Sequence, residues 1–131
     1  MPRPPFRFSR NSQAHLDTCH PDLILVFEQV ILFWDCTVIE GHRTQERQNE
    51  LLRTGATRTQ ISKHSSIPSR AVDVAPCPIV WKDLERFYFF AGFVKGIATS
   101  MHIPLRWGGD WDGDRDVKDQ TFNDLVHFEL R

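Results

Sequence analysis

Two short stretches, RAVDVA at 70–75 and VHFEL at 126–130, share one alternation, and it constrains the fold more than any other feature of the chain. Successive side chains on a strand point to opposite faces. Val72 and Val74 therefore share one face, while Ala71, Asp73 and Ala75 share the other. In the second stretch Val126, Phe128 and Leu130 lie together, with His127 and Glu129 opposite. If both apolar faces enter one core, Asp73 and His127 meet across the polar face of a single sheet. The alanines flanking Asp73 leave open space above it.

Helical spacing indicates what covers the apolar face. Pro21 and Asp22 suit a first helical turn, after which Leu23, Val26, Phe27, Val30 and Ile31 form one stripe. Residues 83–101 predict the strongest helix, with Phe87, Phe90, Ala91, Val94, Ile97, Ala98 and Met101 on one side. A polar helix is expected from Gln45 to Arg53, stopping before Gly55. Residues 35–40 and 105–107 read as two further strands, 62–69 as a Ser- and Pro-rich loop, and 110–120 as an exposed acidic loop. Residues 1–11, rich in Pro and Arg, read as a loose N-terminal arm. Helices interleaved with short strands imply an α+β fold, and 131 residues suit one domain spanning the whole chain.

Composition removes several function classes. With 16 basic against 17 acidic residues, bulk charge does not favour nucleic acid or a membrane surface. Cys19, Cys36 and Cys77 are widely spaced and contain no CxxC, which argues against a disulfide framework and a thiolate metal site. The apolar run from Leu23 to Trp34 is interrupted by Glu28 and Gln29 and is too short to span a bilayer. The basic N-terminus lacks the apolar run of a signal peptide. These features lead to the expectation of a soluble, intracellular chain with no stable membrane association.

His64 lies in the loop that leads into the Asp73 strand. With Asp73 and His127 it offers two imidazoles and a carboxylate, a sound donor set for a catalytic Zn²⁺ with an open position for water. Asp124, just before the last strand, is the candidate general base. Glu129 is the rival base, or the acceptor that holds an imidazole N–H. Trp107 and Trp111 either wall a cleft or pack their turn against the long helix. From the residues alone, a strand with His and Glu on its solvent face is an equally ordinary reading. In the acidic loop, Asp110, Asp112, Asp114 and Asp116 alternate as a Ca²⁺ ion wanting about six to eight oxygens would require. The EF-hand pattern fails, because Val117 and Asn123 stand where Gly and Glu belong. A regulatory Ca²⁺ site and a solvated acidic loop both remain open.

Taken together, EGHRT at 40–44, SKHSSIPSRAVDV at 62–74, LRWGGDWD at 105–112 and DLVHFE at 124–129 resemble the zinc peptidases of the D-alanyl-D-alanine carboxypeptidase superfamily. The likeness is greatest to the phage endolysins that act as L-alanyl-D-glutamate peptidases. It spans residues 20–131, with the blocks in the family's order. The resemblance implies a Hedgehog/D-Ala-D-Ala-peptidase-like fold, with a small antiparallel sheet and helices packed on one side. It implies zinc on His64, Asp73 and His127, with Asp124 as catalytic acid/base. Arg43 would contact the substrate and polarise the scissile carbonyl, and Ser62 would serve as a substrate or supporting contact. Nine positions separate His64 from Asp73. The family spacing is shorter and carries a glycine, so the path of this loop is expected to differ.

The activity so implied is cleavage of the peptidoglycan stem peptide for host-cell lysis. A monomer without a separate wall-binding domain would perform it, reaching the wall from the host cytoplasm once the membrane is permeabilised. The alternatives are a D-Ala-D-Ala carboxypeptidase on the same fold, a non-catalytic zinc-binding module, and a metal-dependent nuclease. The module would lack the base or the arginine, and both are present. The nuclease would need a basic groove.

Overall fold

The computed structural model describes residues 5–57, 62–120 and 123–131. Among the described residues, four helices, α1 (Arg10–Leu16), α2 (Pro21–Val30), α3 (Gln45–Thr54) and α4 (Leu84–Ser100), accompany four strands, β1 (Cys36–Glu40), β2 (Ala71–Pro76), β3 (Leu105–Gly108) and β4 (Asp124–Leu130). A 3₁₀ turn covers Lys63–Ser65. The strands form one antiparallel sheet in the order β1-β2-β4-β3, bearing out the α+β expectation.

The helices begin and end where local chemistry directs. Pro21 opens α2, whose first free amides include that of Asp22, bonded to His20 Nδ1 at 3.1 Å. The Thr44 side chain caps α3 by accepting from Arg47 N at 3.1 Å, and Gly55 ends it in the left-handed region at φ 79°. The apolar stripes of α2 and α4 meet over the sheet, where Phe27 and Phe90 set their ring edges against Phe128 at 5.5 and 6.3 Å. Val72, Val74 and Phe128 are wholly buried. Burial of each such side chain contributes roughly 1.5–3 kcal/mol. Among the described residues, no helix is long and apolar enough to cross a membrane.

The arm expected over residues 1–11 is corrected where it is described. Helix α1 starts at Arg10, capped by Ser9, and Phe6 and Phe8 pack against the core. Residues 1–4 lie outside the described residues. Buried Ser12 of α1 accepts from Val38 N at 3.0 Å, so the helix satisfies an amide of the edge strand β1 that has no neighbouring strand to bond.

Candidate metal centre and active site

Strand register sets the centre of the site. β2 and β4 pair so that Asp73 stands directly opposite His127, as the shared alternation requires. The 3₁₀ turn adds His64, whose backbone amide bonds to Ser62 Oγ at 3.1 Å. Ser62 thus caps the turn that presents the imidazole. The nine-position loop closes through Ser66 Oγ, which donates to Lys63 O at 2.8 Å and accepts from Arg70 N at 2.9 Å. The longer path therefore still returns Asp73 to His64. His64 Nε2 lies 3.1 Å from Asp73 Oδ1 and 3.2 Å from His127 Nδ1, which is 3.3 Å from the same carboxylate oxygen. All three residues are buried.

The outward nitrogens determine what the inward ones can be. His64 Nδ1 faces the carbonyl oxygen of Gly41 at 2.8 Å, an acceptor only, so Nδ1 carries the hydrogen. His127 Nε2 faces Glu129 Oε1 at 2.8 Å. Burial works to raise the Glu129 carboxyl, but hydrogen bonds from His127, Arg106 and Lys63 hold it at about 2, so it too only accepts. Each neutral imidazole therefore points a lone pair inward beside a third on Asp73. Three lone pairs about 3 Å apart repel one another unless a cation lies between them. Where a proton serves instead, burial opposes it, yet hydrogen bonds with Asp73 and Glu129 raise His127 to about 9. Burial likewise opposes ionisation of Asp73, and hydrogen bonds from His127 and His64 outweigh it, holding the group well below the usual carboxylate range. The donor set fits a divalent metal that accepts nitrogen and oxygen.

Asp124 is the first residue of β4, not a residue outside the strand. Strict alternation would turn it away from His127, three positions on. The register shift between Trp107 and Gly108 breaks that alternation and pairs Gly108 with Asp124. A Cβ on Gly108 would lie 2.1 Å from Asp124 O, so only glycine allows this approach. Burial, then the charge of Asp73, raises the Asp124 pKa, partly offset by His127, His64 and Arg43. The carboxylate thus senses the whole centre.

Arg43 follows β1, and its own amide bonds to His64 O at 2.7 Å. Its guanidinium donates to both Glu40 oxygens, at 2.7 and 2.9 Å, and to Gln48 Oε1 at 2.8 Å. Nη2 lies 3.6 Å from Asp73 Oδ2. Glu40 and fully buried Gln48 are the residues that the sequence reading missed. The signals were there: Glu40 precedes Arg43 by three positions, and Gln48 is a polar residue on the inner side of an otherwise polar helix. Glu129 is also braced by Arg106 at 2.7 Å and Lys63 at 3.0 Å, which leaves it as the holder of His127 and not as a free base.

The two tryptophans part company. Trp107 is buried in the core, edge-on to Tyr88 of α4 at 5.9 Å, with Nε1 donating to Leu125 O at 2.8 Å. Of its two expected roles, packing the turn is the one its place fits. Trp111 instead lies over His127 at 5.3 Å. In the acidic loop, oxygens of Asp110, Asp112 and Asp114 lie within 4.8 Å of one another. Asp116 is not in that group; its Oδ1 accepts from Lys118 N at 2.9 Å. Asp110 Oδ1 is buried without a hydrogen-bond partner.

The family model described as phage L-alanyl-D-glutamate peptidase matches residues 5–131. The L-alanyl-D-glutamate peptidase of Escherichia phage T5 is 30% identical over 121 residues, covering 88% of each chain. The crystal structure of the Serratia marcescens L-Ala D-Glu endopeptidase ChiX superposes with a TM-score of 0.75 at 28% identity, over 97% of this chain and 92% of that one.

Proposed function

Because the chain belongs to the phage L-alanyl-D-glutamate peptidase family, we propose that it hydrolyses the L-alanyl-D-glutamate bond of the peptidoglycan stem peptide, with zinc on His64, Asp73 and His127. The convergence of three lone pairs at about 3 Å, with a raised-pKa carboxylate beside them, carries this reading. Zinc bound there supplies a Lewis acid and acidifies water toward neutral pH. Asp124 takes the proton from the attacking water and passes it to the leaving amine, a task suited to a carboxylate moved toward neutrality. Arg43, clamped by Glu40 and Gln48, offers its remaining N–H groups to the oxyanion that develops. Glu129 and Gly41 hold the imidazoles in the tautomers that bind metal.

The acidic loop is proposed as a Ca²⁺ site through Asp110, Asp112 and Asp114, favoured by the unpartnered buried oxygen of Asp110. The work is that of an endolysin: the chain acts as a monomer on the wall from the host cytoplasm, once the membrane has been opened. Digestion of purified peptidoglycan by zinc-loaded protein, read by mass spectrometry, tests the activity. L-alanine carboxyl termini left on the glycan, with peptides beginning at D-glutamate, are expected. Fragments ending after a lost D-alanine would point to a carboxypeptidase, and intact wall to a binding module.

A further inference from the structure

Beside Asp124 the surface opens into a recess of about 190 Å³ lined by Trp81, Phe87, Asn123, Asp124, Leu125 and Val126. Trp81 is 59% exposed, yet its ring stacks on buried Phe87 at 5.7 Å and 14°. The loop carrying it is pinned: Asp83 N donates to Val80 O at 3.0 Å, and Arg86 Nη2 donates to Cys77 O. A rigid aromatic face turned to solvent next to a reacting carboxylate is an exposed apolar surface with no packing role for its outer side.

We infer that this recess receives the sugar that carries the L-alanine of the substrate, its ring lying on Trp81. The inference rests on the peptidase reading above. The two halves of the scissile unit differ in chemistry. The D-glutamate side bears free carboxylates and needs cations. The other side is an uncharged alanine joined through a lactyl ether to an N-acetylated sugar. Among the described residues no Lys or Arg lines the recess, and its one ionisable group is the acid Asp124, so the neutral half is the one it accepts. The C–H face of a pyranose packs on the electron-rich face of an indole. Asn123, exposed at the rim, offers an amide to the acetamido group. Because the recess adjoins Asp124, whatever occupies it is continuous with the bond being cut.

The test compares a disaccharide-linked stem peptide with the same peptide bearing only an N-acetyl group on its L-alanine, using the zinc-loaded full chain and its Trp81→Ala and Trp81→Phe variants. Wild type should prefer the sugar-linked substrate. Trp81→Ala should lose roughly fivefold to tenfold in kcat/KM on that substrate, through KM, and nothing on the acetyl peptide. Trp81→Phe should keep most of the preference. Equal losses on both substrates, or none on either, would overturn the sugar subsite while leaving the peptidase intact. A wild type that cuts neither would overturn the peptidase reading and this inference with it.

Discussion

Among the described residues, potential ligand atoms gather within 4.8 Å in two places, at His64, Asp73 and His127 and at Asp110, Asp112 and Asp114, and the two are built differently. The first draws on a turn and two strands, and fixes each imidazole from behind, His64 by the distant Gly41 O and His127 by Glu129 two residues on, itself braced by Arg106 and Lys63. The second comes from one loop, whose carboxylates accept from amides of the same loop: Asp110 from Arg115 N at 2.9 Å, Asp112 from Asp114 N at 3.3 Å and Asp114 from Asp116 N at 2.8 Å. Such local turns form and break with little consequence elsewhere. Tertiary structure holds the histidine centre in place, whereas the loop carboxylates hold mostly themselves.

The largest effect should come from removing a member of the histidine centre. Asp73→Ala or His127→Ala should lose stoichiometric zinc, read by elemental analysis, and lower kcat/KM by roughly 10³-fold or more, since several kcal/mol of charge stabilisation go with the metal. Asp112→Ala should leave zinc content unchanged. If it empties the histidine centre, the two regions are one unit and the comparison fails.

Asp124→Asn separates rate from metal. Loss of a positioned proton carrier costs roughly 10²–10⁴-fold in kcat, with zinc retained. Asp124 must be ionised to accept a proton and its pKa is raised, so wild-type kcat/KM should climb with pH through a value above that of an ordinary aspartate. The variant should lack that limb, and a limb surviving unchanged would assign it to another group.

Glu129→Gln probes the support behind His127, and should weaken zinc binding by about 10–100-fold. The chelated wild type gives the same support a pH signature. His127 titrates at about 9 in the fold against an ordinary 6.5, so its contribution to stability is complete below 6.5 and disappears as pH rises through 9. Glu129, lowered from 4.5 to about 2, contributes above 4.5 and ceases to as pH falls through 2. The melting temperature of chelated protein should thus fall on both sides of a mid-pH plateau. Zinc-loaded protein should not show the alkaline fall, because the metal stands where the proton did.

The alternation of two strands made the centre legible: period two fixes faces, one core fixes which faces join, and Asp73 opposite His127 follows. The stripes of α2 and α4 were legible for the same reason, since burial imposes their period. Helix α1 was not, because its anchors are one apolar side chain, Leu16, and the Ser12 hydroxyl that accepts from Val38 N, which leave no periodic trace in seven residues. Asp124 was legible as a candidate base from its place just before the last strand, while its position in β4 depends on a register shift that no side-chain pattern announces. Glu40 and Gln48 escaped because their role exists only once the chain turns Arg43 between them.

The smallest effect lies in the acidic loop. Exposed Asp119 is pushed up to about 6, first by its hydrogen bond with Asp114, then by partial desolvation and, after an opposing hydrogen bond from Gln120, by the charges of Asp112 and Asp114. Two carboxylates at hydrogen-bond distance share a proton because both cannot ionise without repulsion. Asp114→Asn removes one of them, so Asp119 should titrate closer to 3.8, followed by carboxyl carbon NMR, with zinc content and kcat unchanged within about twofold. Saturating Ca²⁺ should remove the same titration from the wild type, since a cation replaces the shared proton. If Asp119 still titrates near 6 in the variant, another group holds its proton. If zinc content falls as well, the acidic loop reaches the histidine centre, through Trp111 against His127, and is more than a local turn.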